Sequence, residues 1–439
     1  MKELSSYNYF LNDNGRIIYF NGLTKAVFSL SPDEHSNVQK LFRDLPAFES
    51  GYPKEFKRFC IWGFIVDDKE DEINEILTKN RLDVYDKSKY TIIINPTLNC
   101  NFNCWYCFES HEDKGYMSSD TIERLKFHIR NLVIDQNIKS LNLSYFGGEP
   151  LLYFKKVVQP IDEYANSICK EHSVSLVSSF TTNGYLINSA LIEQLKKSNF
   201  NYGFQITIDG GRERHNKIRN INGKPTFDVI IENINNLCAS LDNVFVTIRV
   251  NYDDETLEDD DLKAVFQKIN PLNRSKIHID FQRVFQTKKV NIEGDEYQSL
   301  LEYLEYCKNA GFHVVYGYTI NKDKFHKCYA DLLSTTILNY DGKVYGCTAR
   351  DFNEDNCIGE LNAEGYINHK RKDLYCRLAK PTFDNEKCIH CKHLPICFGP
   401  CSQICKELIT SGKDYVCDNL YQDIAFDTKI KAYYHKIQG

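Results

Sequence analysis

The sequence predicts an α/β protein with a parallel sheet, either open or curved into a partial barrel. Six strand-like runs alternate with helical patterns from about residue 90, as successive β–α units do. Before residue 85 the pattern mixes short strands with helices, and after residue 322 Cys-, Gly- and Asn-rich loops dominate. We therefore predict three regions, 1–85, 86–310 and 311–439.

The N-terminal region, 1–85, has the pattern of a small separate unit. Strand-like runs at 16–20 and 26–30 flank a turn at Asn21-Gly22. Ser31 and Pro32 predict the start of a helix, because Ser is a favoured N-cap and Pro is favoured at the first helical position. An apolar stretch at 61–66 and a charged helix from Lys69 to about 78 complete the unit.

The central region, 86–310, carries the alternation. Its strand-like runs are 91–95, 141–146, 174–181, 202–208, 244–250 and 277–284. Its helical patterns lie near 120–135, 154–171, 188–198, 226–240, 258–268 and 295–309. In parallel α/β folds the active site lies at the C-terminal ends of the strands, so functional residues are expected just after these runs.

Composition and charge exclude several classes of protein. The formal net charge is −6, which argues against a general nucleic-acid binder, since phosphate contacts need clustered Lys and Arg. No run of about 18 apolar residues predicts a membrane span. The first residues have neither a basic segment nor an apolar run, so no signal peptide is predicted and a cytoplasmic protein is expected.

The 17 cysteines are the main anomaly, and ten of them fall between Cys328 and Cys417. In a reducing compartment such clusters indicate metal rather than disulfides. Cys100, Cys104 and Cys107 form a C-x3-C-x2-C loop after the first strand. Three thiolates leave one iron of a cubane cluster without a protein ligand, and an open position indicates catalysis. The alternative is a zinc site with a distant fourth ligand.

The cysteine loop resembles that of the radical S-adenosylmethionine (SAM) superfamily, in which the open iron binds SAM. The resemblance extends to strand-end residues and implies that they bind the cofactor. These residues are Tyr106 against adenine, Gly147, Gly148 and Glu149 at the methionine ammonium, and Thr182, Asn183, Asp209 and Arg249 around the ribose and carboxylate. His215 and Arg219 also follow the family pattern, and a structural role is expected for them.

The C-terminal cysteines resemble the SPASM domain, which holds two auxiliary [4Fe–4S] clusters. The family pairing implies that Cys328, Cys347 and Cys401 bind the nearer cluster. It assigns the farther cluster to Cys388, Cys391, Cys397 and Cys417. An extra cysteine that some relatives carry after the first one is missing here, so Cys357 is our choice for the fourth ligand. The alternatives for this fourth position are Cys376, Cys405 or an open iron. For the C-terminal region as a whole, the alternative is two zinc ribbons.

The SPASM resemblance implies a peptide or protein substrate, and the N-terminal unit looks like a winged-helix leader-recognition domain. An unrelated cap of the barrel is the alternative. The chain most resembles the streptide-forming enzymes of streptococci, which join a Lys β-carbon to a Trp ring carbon through a 5′-deoxyadenosyl radical. This implies a precursor peptide with a leader and an external electron donor such as flavodoxin or ferredoxin.

Three other functions are left open by the sequence. Thioether-forming and formylglycine-forming SPASM enzymes share the motifs. The alternative that is not an enzyme is a peptide-binding protein whose cysteines bind structural zinc. No catalytic residue is assigned. A base is needed to restore the aromaticity of the Trp ring, and an acidic or Tyr side chain in the barrel mouth would suit that role.

Overall fold

The computed structural model describes residues 2–107, 109, 115–198, 200–257, 261–287, 295–315, 320–370, 381–413, 417 and 425–438. Its N-terminal part contains a three-stranded antiparallel sheet and a two-stranded ladder. The strands are β1 (Glu3–Leu4), β2 (Asn8–Asp13), β3 (Arg16–Asn21), β4 (Val27–Leu30) and β5 (Ile65–Val66). The helices are α1 (Pro32–Leu41), α2 (Leu45–Gly51), α3 (Pro53–Ile61) and α4 (Lys69–Tyr85).

Helix α1 begins where the sequence predicts it. The Ser31 hydroxyl accepts a hydrogen bond from the Glu34 amide, and the Glu34 carboxylate accepts one from the Ser31 amide. This reciprocal capping box satisfies amide groups that the first helical turn leaves unpaired. The charged helix α4 runs to Tyr85, about two turns further than predicted.

The central region forms the predicted parallel strands, and the α/β fold class is confirmed. The strands are β6 (Lys89–Ile94), β7 (Ser140–Tyr145), β8 (Ser175–Thr182), β9 (Asn201–Ile208), β10 (Val244–Tyr252), β11 (Ile277–Arg283) and β12 (His313–Val315). The helices are α5 (Ser119–Ile134), α6 (Gln159–Glu171), α7 (Ser189–Ser198), α8 (Arg212–Ile218), α9 (Phe227–Ser240), α10 (Asp254–Leu257), α11 (Leu262–Gln267) and α12 (Asp295–Asn309).

The sheet continues into the C-terminal region. Strand β13 (Thr335–Leu338) pairs in parallel with β6, and three antiparallel strands follow it. These are β14 (Lys343–Tyr345), β15 (Cys357–Leu361) and β16 (Ile367–His369). The C-terminal helices are α13 (Glu386–Ile389), α14 (Leu394–Cys397), α15 (Ser402–Ser411) and α16 (Phe426–Gln438). Pairing with β13 protects the edge of β6 that would otherwise be open.

The barrel strands separate an apolar outer face from a polar inner face. On β10, Val246, Ile248 and Val250 point towards the helices and are fully buried. The alternating residues Thr247, Arg249 and Asn251 point inwards and are partly exposed. Because side chains alternate along a strand, the inside of the sheet is a polar, water-accessible lumen.

The N-terminal sheet packs on the C-terminal region. Tyr9, Ile18 and Phe20 share an apolar cluster with Ile430 and Tyr433 of α16. The Tyr9 hydroxyl donates to the carbonyl oxygen of Lys392 at 2.9 Å, next to the predicted cysteine ligands. No helix in the described ranges is both long and apolar enough to cross a bilayer.

Candidate active site

The first three cysteines lie in the loop that follows β6. Cys100 and Cys104 are partly buried and Cys107 is exposed. The Cys107 amide donates to the carbonyl oxygen of Cys104 at 3.0 Å, which turns the chain between the two thiols. Burial raises the pKa of Cys100 to about 12 and also raises the pKa values of Cys104 and Cys107. Such thiols ionise readily only beside a cation, and bound iron would supply one.

The turn at Gly147 and Gly148 lies directly on the cysteine loop. The Glu149 amide donates to the carbonyl oxygen of Asn99 at 2.8 Å, and the Gly148 amide donates to that of Thr97 at 3.2 Å. A Cβ atom at Gly148 would collide with the Asn99 backbone, and Gly147 has a φ of +95°. Glycine is therefore required at both positions, because the two backbones approach closely and Gly147 is left-handed.

Glu149 is fully buried between this turn and the end of β8. Its Oε1 accepts hydrogen bonds from the Leu151 amide at 3.0 Å and the Thr182 hydroxyl at 2.8 Å. Its Oε2 accepts one from the Asn183 amide at 2.8 Å. An ionised carboxylate offers about four acceptor positions, so about one is left for a ligand. An ammonium group would form a charge-assisted hydrogen bond there.

Asn183 ties this carboxylate to the cysteine loop. Its side-chain amide donates to Asn101 Oδ1 at 2.7 Å, and Asn101 follows Cys100 directly. The structure therefore brings Glu149, Thr182 and Asn183 to the edge of the cysteine loop.

Tyr106 organises the other side of the loop. Its hydroxyl donates to Asp209 Oδ2 at 2.6 Å and accepts from Arg219 Nη1 at 2.6 Å and Asn251 Nδ2 at 3.1 Å. Arg249 joins the same group, since its Nε donates to Asn251 Oδ1 at 2.9 Å. Tyr106, Asp209 and Arg249 are thus gathered at the ends of β9 and β10, as their sequence positions predict.

Arg219 is a member of this group that sequence reasoning did not select. Its Nη1 lies 3.7 Å from Asp209 Oδ2, and its side chain is 10% exposed. Asp209 Oδ1 and Arg219 Nε are buried and have no hydrogen-bond partner among the described residues. Buried polar atoms without partners are costly, so both atoms suit contact with a polar ligand. The only signal in the sequence was the family spacing, which does not reveal the Tyr106 contact.

The nearer auxiliary set is partly assembled. The thiols of Cys328 and Cys401 share a hydrogen bond, which lowers the pKa of Cys401 and raises that of Cys328. The Tyr329 hydroxyl lies 4.0 Å from Cys347 Sγ, so the third thiol contacts the residue that follows Cys328. Asp331 links the segment after Cys328 to the start of α15, because its Oδ1 accepts a hydrogen bond from the Ser402 amide at 2.9 Å.

Cys357 lies at the start of β15, opposite Tyr345 of β14. Cys347 follows the end of β14 by two residues, and the pairing of β14 with β15 is irregular between Val344 and Tyr345. The Cys357 thiol is buried, donates to the Gly359 carbonyl oxygen at 3.2 Å and belongs to an apolar cluster against which Tyr329 packs. Its position is therefore compatible with the ligand role proposed from the sequence.

The farther set lies beside the N-terminal sheet. The Cys391 amide donates to the Cys388 carbonyl oxygen at 3.0 Å, and Cys397 ends α14. Cys388 packs on the apolar cluster that contains Tyr7. Cys417 is exposed, and residues 414–416 and 418–424 around it lie outside the described residues, as does Cys376.

A site for a single metal ion is a separate question from a cluster site, and it is answered here for the part of the chain that the structure describes. There, no three His, Cys, Asp or Glu side chains stand close enough to hold one metal ion. In a cubane cluster each cysteine binds a different iron, so its ligands need not converge on one point. Metal analysis distinguishes the two cases.

Known proteins resemble the chain over this site. Residues 94–266 match the family model of the radical SAM superfamily. The chain is 23% identical over 378 residues to the radical SAM cyclopropyl synthase TigE of Paramaledivibacter caminithermalis, covering 77% of this chain and 74% of that protein.

Two solved structures have a similar fold. The structure of anSMEcpe with bound AdoMet matches with a TM-score of 0.54 and 16% identity, over 79% of this chain and 96% of the other. Streptococcus suis SuiB bound to precursor peptide SuiA matches with a TM-score of 0.51 and 19% identity, over 96% of this chain and 100% of the other. The fold, the cysteine loop and the family match together imply SAM and a [4Fe–4S] cluster as cofactors. The chain therefore contains a radical SAM domain over residues 94–266, and the protein is an enzyme.

Proposed function

We propose that this enzyme modifies a ribosomally made precursor peptide and forms a carbon–carbon bond between Lys and Trp side chains. The observation that carries the proposal is the likeness to SuiB bound to SuiA, which covers 96% of this chain. That coverage includes the N-terminal unit and the cysteine-rich region as well as the barrel, so the likeness concerns the whole organisation of the molecule.

The proposed cofactor site follows from the contacts around the cysteine loop. Cys100, Cys104 and Cys107 would hold the cluster, and Glu149 would bind the methionine ammonium at its remaining acceptor position. Arg249 would pair with the carboxylate, Tyr106 would contact adenine, and Gly147, Gly148, Thr182, Asn183 and Asp209 would complete the site. When bound, the cluster and SAM supply a 5′-deoxyadenosyl radical that removes a hydrogen atom from the peptide.

The C-terminal cysteines would hold two auxiliary [4Fe–4S] clusters that accept the electron released when the new bond forms. Cys328, Cys347, Cys357 and Cys401 would bind the nearer cluster. Cys388, Cys391, Cys397 and Cys417 would bind the farther one. An external flavodoxin or ferredoxin would supply the electron that starts each cycle. The thiol pair of Cys328 and Cys401 supports the first assignment, because it already places two ligands together.

The N-terminal unit would bind the leader of the precursor. Strand β4 is the outer strand of the order β2–β3–β4, and its described pairing is with β3. An outer strand offers main-chain donors and acceptors to which an extended peptide can add. This mode gives affinity through the main chain and specificity through side-chain pockets.

The test is anaerobic conversion of a candidate precursor peptide, sought among small open reading frames beside the gene. The enzyme is reconstituted with iron and sulfide, and the peptide is analysed by tandem mass spectrometry. A loss of two hydrogen atoms, with fragments that join Lys to Trp, supports the proposal. Peptides with Lys→Ala or Trp→Ala are the controls and should stay unmodified. A bond through Cys sulfur, or conversion of Cys or Ser to formylglycine, would overturn the cross-link but keep a peptide substrate.

Cyclopropane formation is a second candidate, favoured by the identity to TigE over 77% of this chain. Closing such a ring within one side chain also forms one carbon–carbon bond and removes two hydrogen atoms. The same experiment separates the two reactions, because a cyclopropyl residue keeps both hydrogen losses in one residue. The Trp→Ala peptide would then still be converted.

A further inference from the structure

The lumen of the barrel contains a carboxylate that none of the assignments above uses. Parallel pairing of β10 with β11 sets Arg249 beside Asp280 and Asn251 beside Gln282. Residues in register on neighbouring strands point to the same face of a sheet. Asp280 therefore points into the lumen, one strand beyond Arg249.

The surroundings of Asp280 leave it able to take a ligand. Its Oδ1 accepts a hydrogen bond from Gln282 Nε2 at 2.8 Å, and the residue is 9% exposed. Asp209, which directly follows β9, is 1% exposed and is held by Tyr106 and Arg219. Of these two, Asp280 is the one that a substrate can reach from the lumen.

Distance to the cofactor site supports a role in the reaction. Neighbouring strands lie about 4.8 Å apart, so Asp280 is one strand spacing from Arg249, which we place at the SAM carboxylate. A peptide side chain held against SAM in the lumen would lie within reach of the Asp280 carboxylate.

We propose that Asp280 is the general base that accepts the proton lost from the peptide during bond formation. This role rests on the proposed function. Two C–H bonds break and one C–C bond forms. One hydrogen would leave as an atom, and bound SAM would supply its acceptor. The other would leave the aromatic ring carbon as a proton, which the Asp280 carboxylate would accept. A bound auxiliary cluster would supply the acceptor for the remaining electron.

The electrostatic setting of Asp280 suits a base. Burial raises the pKa of Asp280, and the charge of Arg249 opposes that rise. A carboxylate with a raised pKa is a stronger base than an exposed one, and it stays ionised above that pKa. His278 lies on the same inner face, and its pKa is lowered by burial and by the neighbouring His313.

The test compares Asp280→Asn with wild type in the full chain carrying its clusters, using the precursor peptide as substrate. His278→Asn, two residues earlier on the same face, is the matched control. We expect D280N to keep its iron content and its SAM-derived 5′-deoxyadenosine formation. Product formation should fall about 100-fold or more, which is the usual size of general-base catalysis. Product formation by the His278→Asn control should stay within about threefold of wild type, a much smaller change than loss of a general base causes.

A pH profile separates a base from a merely structural residue. Wild-type product formation should rise with pH through the raised carboxylate pKa, and D280N should lack that rise. Asp280→Glu should recover part of the rate and shift the pH profile. This variant also provides the test if D280N folds poorly. Product formation by D280N that matches wild type at every pH would overturn the role of Asp280. Wild type that leaves the peptide unmodified would overturn the proposed function, and the role of Asp280 with it.

Discussion

Lys25 of the N-terminal sheet donates a hydrogen bond from Nζ to the carbonyl oxygen of Pro395, 2.6 Å away. The same ammonium bonds to the Gly22 carbonyl oxygen, and the residue is 5% exposed. Pro395 lies between Cys391 and Cys397, two proposed ligands of the farther cluster. The N-terminal unit therefore helps to position the segment that carries Cys391 and Cys397, besides its proposed role in leader binding.

Replacing Lys25 should consequently disturb the farther cluster. Lys25→Met leaves two buried carbonyl oxygens without a donor, which costs about 1–3 kcal/mol for each buried group. We expect the iron content to fall from about twelve towards eight per chain, since four irons belong to each cubane cluster. Iron and sulfide analysis after anaerobic reconstitution measures this.

Lys276→Met is the matched control for that experiment. Lys276 Nζ also donates to two backbone carbonyls, those of Cys238 and Leu241, both at 2.8 Å. Cys238 and Leu241 lie in the barrel region and not in the segment that carries Cys391 and Cys397. K276M should lose stability and keep its iron. Equal iron contents in K25M and wild type would contradict the positioning role of Lys25.

Glu149→Gln should weaken SAM binding. An amide replaces one carboxylate oxygen with a donor, so it cannot accept all three hydrogen bonds from Leu151, Thr182 and Asn183, and it loses the charge that attracts an ammonium. We expect affinity for SAM to fall about tenfold or more, or about 1.4 kcal/mol, measured by equilibrium binding to the reconstituted enzyme.

Asp162→Asn provides the comparison for Glu149→Gln. Asp162 is also a buried carboxylate, and it accepts hydrogen bonds from the Tyr145 hydroxyl at 2.8 Å and the Ser178 hydroxyl at 2.9 Å. Its substitution should lower stability without changing SAM affinity. If E149Q bound SAM as tightly as wild type, Glu149 would have no place in the cofactor site.

Tyr106→Phe should loosen the network on the other side of the cysteine loop. The hydroxyl contacts Asp209, Arg219 and Asn251, and hydrogen bonds to charged groups contribute about 1.5–3 kcal/mol. We expect a loss of stability of that order and a weaker affinity for SAM. Tyr145→Phe removes a buried hydroxyl that is bonded to Asp162, so it should affect stability only. Identical SAM affinities for Y106F and Y145F would show that the hydroxyl network of Tyr106 does not position the cofactor site.

Cys357→Ala tests the fourth ligand of the nearer cluster. Loss of that ligand should reduce iron content or alter the electron paramagnetic resonance signal of the nearer cluster. Cys405→Ala is the control, because the Cys405 thiol is also buried and lies 3.7 Å from the Pro400 carbonyl oxygen. Unchanged iron and an unchanged signal in C357A, or a larger effect in C405A, would give the ligand role to another group.

Local signals predicted the barrel well. The six strand-like runs became β6 to β11, because apolar outer faces such as that of β10 leave a clear pattern in the sequence. The family resemblance also implied that Glu149 and the cysteine loop would meet. The short strands β12 to β16 were missed, since their stability depends on pairing with distant strands rather than on their own residues. Arg219 was undervalued for a similar reason, because its partner Tyr106 lies 113 positions earlier.

The central claim is that Cys100, Cys104 and Cys107 bind a cluster whose open iron takes SAM. The most direct measurement is the electron paramagnetic resonance spectrum of the reduced, reconstituted enzyme with and without SAM, together with metal analysis. We predict that SAM alters part of the wild-type signal. In the variant with all three cysteines replaced by Ala, that part should be missing and the rest should not respond to SAM. Bound zinc without iron, or a wild-type signal indifferent to SAM, would contradict the account.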